Sequence, residues 1–252
     1  MLKTNYLFTY IIPFRYKDAQ GFNNLKRVID WVTGFTGVEA IVVEQDTSSK
    51  IQNSNIRCRH IFCKSEYPFN MSLAYNVGAK YSVTDKIVFG TARHMMDPDK
   101  LLTSLNDMDI FSYDFIKPYR EVVDLLQQEV GFQAANWKTI NRQPRYESKF
   151  SGITIWKKQV VLNMQGWPED FIGGMEDLAM EKIANRMNVI QQHCEGSSYV
   201  LHQSRPEDFF PQLMQRNSQI LQDISTMDNN SFNEYLKFSS HKMGYKSRYD
   251  VI

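Results

Sequence analysis

The run Ala40-Ile41-Val42-Val43 is apolar without alternation, and it sits between Gly37 and the polar pair Glu44-Gln45. A strand with one wet face alternates polar and apolar side chains, whereas a strand covered on both faces does not. This run therefore demands a sheet sandwiched between two layers, and the chain around it supplies the layers. Tyr6–Ile12 is another apolar, β-rich run, which Pro13 is expected to stop. Between the two, Phe22, Leu25, Val28, Ile29 and Val32 recur at helical spacing until Gly34 and Gly37 break it. Arg57–Phe62 and Lys86–Phe89 read as further strands and Met71–Tyr81 as a helix. The alternation predicts an α/β fold, a mostly parallel central sheet flanked by helices.

The second half is less regular. Asp114–Tyr119, Gly152–Trp156 and Ser198–Leu201 read as short strands. Arg120–Glu129, Lys157–Met164 and Glu176–Arg186 read as helices, the last with Leu178, Ile183 and Met187 as core positions. Asn136–Lys149 reads as a surface loop. Pro206 is placed to open a C-terminal helix, and the basic tail after Ser239 is expected to fray. With 252 residues, 42% of them hydrophobic, and no shift in composition, the chain reads as one domain over 1–252, residues 206–252 forming a helical extension and tail.

A net charge of +1 argues against binding nucleic acid through bulk electrostatics. Cys58, Cys63 and Cys194 offer neither a disulfide framework nor zinc-ligand spacing, as expected of reduced thiols in a cytoplasmic protein. The N-terminal apolar run is too short to span a membrane, and no transmembrane segment is expected.

Three segments carry candidate chemistry. Pro13-Phe14-Arg15-Tyr16-Lys17 follows the first strand, and ligands of open α/β sheets bind beyond the carboxyl ends of strands. Cations there suit a diphosphate. Gly173-Gly174-Met175-Glu176-Asp177 combines glycines, which let backbone approach a ligand, with two carboxylates in a first helical turn, where the dipole favours negative charge. Such carboxylates are also common as plain caps. Tyr199-Val200-Leu201-His202 ends a strand on a histidine; His60, His94, His193 and His241 have no recognisable partner spacing.

In order and spacing, these segments resemble the β-1,4-galactosyltransferase group of GT-A glycosyltransferases, a superfamily that includes the polypeptide N-acetylgalactosaminyltransferases. Ile11–Arg15 is similar to its uridine-binding Pro-Phe-Arg, and Val42–Gln45 to its second strand end. Phe69-Asn70-Met71 with Asn76-Val77-Gly78 is similar to its Phe-Asn-Arg and Asn-Val-Gly segment. Ser151–Thr154 with Gly166-Trp167-Pro168 is similar to its Gly-Gly and Gly-Phe-Pro segment. Phe171–Asp177 resembles Trp-Gly-Trp-Gly-Gly-Glu-Asp, and His202–Arg205 resembles its late His-Ser-Arg. The resemblance runs from about residue 6 to residue 210.

It implies a nucleotide-sugar donor, expected to be a UDP-sugar, held by Pro13, Phe14, Arg15, Lys17, Glu44, Gln45, Phe69 and Asn70. Gly152, Trp167 and Gly174 would line the sugar and acceptor pocket. Asp177 would be the general base, with Glu176 beside it on sugar hydroxyls. The family's Asp-x-Asp metal motif is replaced by Thr91-Ala92-Arg93. A divalent manganese or magnesium ion needs oxygen ligands and an arginine repels it, so metal independence is expected, with Arg93 in the ion's place. A shifted metal site near Asp97 and Asp99, or one through His202, is the weaker expectation. The acceptor is expected to be a glycan hydroxyl; a hydroxylated DNA base is the open alternative, since Arg142, Arg145 and Lys149, and Lys242, Tyr245, Lys246, Arg248 and Tyr249, mix cations with aromatics. The rival from another class is a non-catalytic nucleotide-sugar or glycan-binding protein that kept the fold after losing the metal motif. A generic nucleotide-binding protein is disfavoured, because no Gly-x-Gly-x-x-Gly follows the first strand.

Overall fold

Pro13 does not end the first strand. In the computed structural model, which describes residues 6–52, 54–129, 140, 142–202, 211–239 and 250–251, β1 runs Phe8–Phe14 and pairs in parallel with β2 (Val38–Asp46) along its whole length. On the other side β1 meets β4 (Lys86–Phe89) only over Thr9–Ile11. The Ile11 carbonyl accepts from Gly90 N on that side. Pro13, two residues on, points the same way, beyond the last rung, so its missing N–H leaves nothing unpaired.

β3 (Arg59–Lys64) adds in parallel to β2, and β12 (Asp250–Val251) closes that edge antiparallel. On the far side β9 (Thr154–Lys157) runs antiparallel between β4 and β6 (Phe115–Lys117), and β10 (Gln191–His193) follows β6 in parallel. The central sheet thus reads β10-β6-β9-β4-β1-β2-β3-β12.

Both faces of β1 and β2 are covered, as the unalternating Ala40–Val43 run demanded. Tyr10, Ile12 and Val42 pack with Leu25, Val28, Ile29 and Val32 of α1 (Ala19–Thr33). Ile11, Ile41 and Val43 pack with Leu73, Ala74 and Val77 of α2 (Met71–Tyr81). Asp18 caps α1 by accepting from Gly21 N, and Asn70 caps α2 by accepting from Leu73 N at 2.9 Å.

A second sheet, β5-β11-β7-β8, corrects the helix expected over Arg120–Glu129. Glu121–Asp124 is instead β7, paired in parallel with β11 (Ser197–Val200), while β5 (His94–Met96) and β8 (Arg145–Tyr146) complete the sheet. The β-branched pair Val122-Val123 found its partner more than seventy residues away, and that ladder overrode the local helical pattern. An unexpected helix, α3 (Pro98–Ile110), starts behind the cap Asp97 with Pro98 in its first turn.

α4 covers Lys158–Asn163 and α5 covers Glu176–Arg186. The buried face of α5 is Ala179, Met180, Ile183 and Ala184; Leu178, expected in the core, is exposed and Met187 half-buried. α5 lies against α6 (Pro211–Thr226). Ile224 of α6 and Phe232 and Leu236 of α7 (Asn229–Ser239) join the same core as α2 and α5. Pro206, Gln203–Arg205, His241, most of the tail, and Asn136 to residue 139 lie outside the described residues.

Candidate active site

β1, β2, β3 and β4 run parallel, so their carboxyl ends share one rim, and most candidate residues stand there. Arg15 follows β1. Its Nε donates to Gln45 O at 2.8 Å, and the same guanidinium reaches Tyr67 O at 2.7 Å and Ser65 O at 3.3 Å. It staples the ends of three strands together. Lys17 is exposed beside it, and Phe14 is buried.

Glu44 is fully buried and accepts from Ser49 Oγ at 2.6 Å, Lys50 N at 2.8 Å and His60 Nε2 at 2.9 Å. Burial alone would raise its carboxyl, but these donors overcome that and hold it below the ordinary range. Gln45 and Asn70 bond reciprocally: Gln45 Nε2 donates to Asn70 O at 2.6 Å and Gln45 Oε1 accepts from Asn70 N at 3.1 Å. Phe69, half-buried, precedes that joint. Glu44, Gln45 and Asn70 therefore shape the rim from within. Trp167 is 1% exposed, its ring stacked among Tyr75 (4.9 Å) and Phe89 (5.5 Å), and Asn76 holds both its N–H and its carbonyl. It supports the site from beneath.

The turn after β4 carries Thr91-Ala92-Arg93. The Arg93 side chain is exposed, and its carbonyl accepts from Leu201 N at 2.8 Å, which brings exposed His202 alongside. Thr91 Oγ1 is bonded to His94 Nδ1 at 2.7 Å, and His94 Nε2 faces Glu147 at 3.4 Å. Glu147 also accepts from Arg145 at 2.8 Å and Ser151 Oγ at 3.1 Å. Burial works against the Glu147 charge, yet His94, Lys117 and Arg145 hold the carboxyl well below the carboxylate range.

Sequence reasoning missed Lys117, Glu147 and His94. Lys117 ends β6 and is 4% exposed; its Nζ donates to Ser151 O and lies 4.0 Å over the Tyr119 ring. Burial lowers the ammonium to about 7, against the pull of Glu147 and Asp177. A lysine closing the apolar run Phe115-Ile116 was the available signal, because lysine is almost never fully buried without partners. Glu147 had no signal in its polar surroundings.

Glu176 and Asp177 form the first turn of α5, behind Gly173, Gly174 and Met175, all at positive φ (82°, 133° and 70°). The Tyr75 hydroxyl donates to Gly90 O at the β4 turn at 3.0 Å, and burial, then nearby charges that include Glu176 and Asp177, push the phenol up. Burial, and then Asp177, raise Glu176 to about 7. In the unfolded chain that carboxyl would already be ionised well below pH 7. Native stability is therefore expected to fall as pH rises from about 4.5 to about 7, without recovery above it. Glu176→Gln should raise the melting temperature at pH 8, at roughly 2–4 °C per kcal/mol relieved, and leave it nearly unchanged at pH 4. Equal shifts at both pH values in calorimetry would refute the buried-charge account.

No protein-family model and no curated protein matches the chain. Solved structures do. Staphylococcus aureus TarS 1–349 in complex with UDP-GlcNAc superposes with a TM-score of 0.56 at 13% identity, covering 93% of this chain and 74% of that one. The catalytic domain of Drosophila β1,4-galactosyltransferase 7 with xylobiose gives 0.53 at 14% identity, covering 84% and 79%. The chain has the GT-A fold. A mutant of the same Drosophila enzyme with manganese, UDP-Gal and xylobiose is spanned over 63% of its length, with a TM-score of 0.49. CMP:2-keto-3-deoxy-manno-octonic acid synthetase with CTP gives 0.50 at 13% identity, covering 86% and 99%.

In place of the Asp-x-Asp motif that the resemblance implies, the turn after β4 offers a threonine hydroxyl already bonded to His94, a methyl group and a guanidinium. Among the described residues, no three His, Cys, Asp or Glu side chains come together in a metal-binding group. These residues do not fit a divalent cation, whose ligands are oxygens. No described helix is long and apolar enough to cross a membrane.

Proposed function

We propose that the chain is a glycosyltransferase that moves a sugar from a nucleotide-sugar, a UDP-sugar foremost, to a glycan hydroxyl by inverting single displacement. The observation that carries this reading is the Glu176-Asp177 pair, presented by the first turn of α5 behind a left-handed glycine loop. Asp177 takes the proton of the acceptor hydroxyl as its oxygen attacks the anomeric carbon, and the bond to the diphosphate breaks with its electron pair leaving on the nucleotide. Glu176, its pKa near 7, holds a proton through the lower half of the neutral range and donates a hydrogen bond to a sugar oxygen. Arg93, exposed on the turn, supplies the positive charge the leaving diphosphate needs. TarS with its UDP-GlcNAc and the galactosyltransferase with its xylobiose support donor and acceptor of these classes.

A glycan acceptor is favoured over DNA because Arg142, Arg145 and Lys149 have anionic neighbours; Lys242, Tyr245, Lys246, Arg248 and Tyr249 lie outside the described residues. Arg142 makes two bonds to Glu129, Arg145 two to Asp124, and Lys149 lies 3.9 Å from Glu181. The rival, a binding protein without turnover, is favoured by the altered metal motif alone.

The test is donor binding and hydrolysis across UDP- and GDP-sugars, with EDTA and with manganese. Turnover that persists in EDTA and falls about 10²-fold in Arg93→Ala is expected. Turnover only with manganese would sink the arginine role, and binding without turnover, even with an acceptor panel, would favour the rival.

A further inference from the structure

The loop that presents Glu176 and Asp177 does not support itself. Gly173, Gly174 and Met175 are three successive residues at positive φ, a run that no L-residue sequence favours, and Met175 pays for its side chain there. Met175 O accepts from Ala179 N of α5 at 3.0 Å, but such a run turns its other peptide groups away from helix and strand partners, so their polar atoms need another source of hydrogen bonds.

That source is α6. Asn217, fully buried, splits its side-chain amide between Ile172 O at 3.0 Å and Gly174 O at 2.9 Å, one carbonyl on each side of Gly173. One residue earlier, Arg216 donates to Asp170 O at 2.9 Å, and one residue later, Ser218 Oγ reaches Met175 Sδ at 3.7 Å. Leu213 and Met214 pack where side chains on Gly173 and Gly174 would begin, at 3.8 and 3.6 Å. The far end of α5 is tied to the same helix. Arg186 donates to Ile224 O and Met227 O, both at 2.9 Å, and its guanidinium lies 4.0 Å over the Phe232 ring of α7. The catalytic helix is thus gripped at both ends by the C-terminal helices.

We propose that α6 is a clasp for the catalytic loop, and that Asn217 is its positioning residue, fixing where the first turn of α5 holds Glu176 and Asp177. The inference rests on the proposed role of that pair. The C-terminal helices are then part of the catalytic apparatus and not an appendage. Asn217 touches no reacting atom; it acts through the loop. Displacement of a general base by about 1 Å costs on the order of 10²-fold in rate, so the loss should appear in kcat and spare the nucleotide site at the ends of β1 and β2.

The experiment compares wild type with Asn217→Ala by hydrogen exchange, UDP titration and steady-state kinetics. Amide exchange over residues 172–178 should accelerate while β1, β2 and β4 stay protected. UDP affinity should remain within twofold, and kcat per folded molecule should fall roughly 10–100-fold. Should Asn217→Ala not fold, Arg216→Ala changes an exposed side chain on the same clasp and should accelerate exchange in the same segment. Exchange over 172–178 at the wild-type rate in a folded Asn217→Ala protein, or an unchanged kcat alongside faster exchange, would overturn the proposal. Faster local exchange in a protein whose wild type transfers no sugar would keep the clasp and overturn the transferase reading instead.

Discussion

Asp177→Asn is expected to lower sugar transfer by about 10³-fold, within the range that a positioned general base supplies. The substitution keeps shape and size but removes the carboxylate proposed to accept the hydroxyl proton. Asp177 Oδ1 accepts from Leu178 N at 2.9 Å, a bond that an asparagine oxygen can keep, so the helix start should survive. UDP affinity, which the proposal assigns to the ends of β1 and β2, should stay within twofold, and the melting temperature should change little. The check is kcat and KM with the best donor beside a direct UDP titration. Loss confined to KM would move Asp177 from base to binding residue. Transfer within threefold of wild type would remove it from the chemistry altogether and leave Glu176 as the base to test.

Gly152→Ala is expected to destabilise the protein by about 2–4 kcal/mol, adding left-handed strain of about 1 kcal/mol to overpacking of about 1–3. Gly152 has φ 66°, and a Cβ there would stand 2.0 Å from Tyr119 Oη, 2.9 Å from Glu147 Oε2 and 3.3 Å from His94 Nε2. None of these can step aside cheaply. Tyr119 is fully buried and its Oη accepts from Ile153 N at 2.9 Å, while Glu147 is bound by Arg145 and Ser151. At roughly 2–4 °C per kcal/mol for a chain of this size, the melting temperature should fall by about 5–15 °C. A Gly152→Ala protein that melts within 2 °C of wild type would show that the Tyr119–Glu147–His94 cluster is not packed against this backbone. Because Lys117 lies over the same tyrosine ring, the variant should also disturb the site itself.

Much of the molecule is legible in one dimension because its first ninety residues obey local rules. The bounds of α2 and β4 follow from periodicity and from the polar residues that flank them, and the unalternating Ala40–Val43 run requires the doubly covered sheet. Glu176-Asp177 at a helix start, behind paired glycines, is equally a local pattern. β7 was misread, since Val122 and Val123 carry no mark of the partner strand at Ser197–Val200. Pro13 does not stop the strand, and sequence cannot show this, because whether its missing N–H matters depends on how far β4 extends beside it. Leu178 is exposed although its helical spacing fits a core position, since spacing alone does not say which face of a helix the core will cover.

The candidate site residues divide the same way. Pro13-Phe14-Arg15, the Thr91-Ala92-Arg93 turn and the acidic pair could be singled out from order, spacing and charge. What each does was decided by tertiary contacts. Arg15 became a staple because three carbonyls converge on it, and Glu44 became an internal anchor because His60, Ser49 and Lys50 surround it. Lys117, Glu147 and His94 came together from three separate strands and loops, and Asn217 met its loop across more than forty residues. Sequence by itself determined the layers and the local turns, because periodicity, caps and glycines act over a few residues. Only the tertiary structure decided which charges meet and which carbonyls need a donor, because burial and long-range pairing are properties of the packed chain.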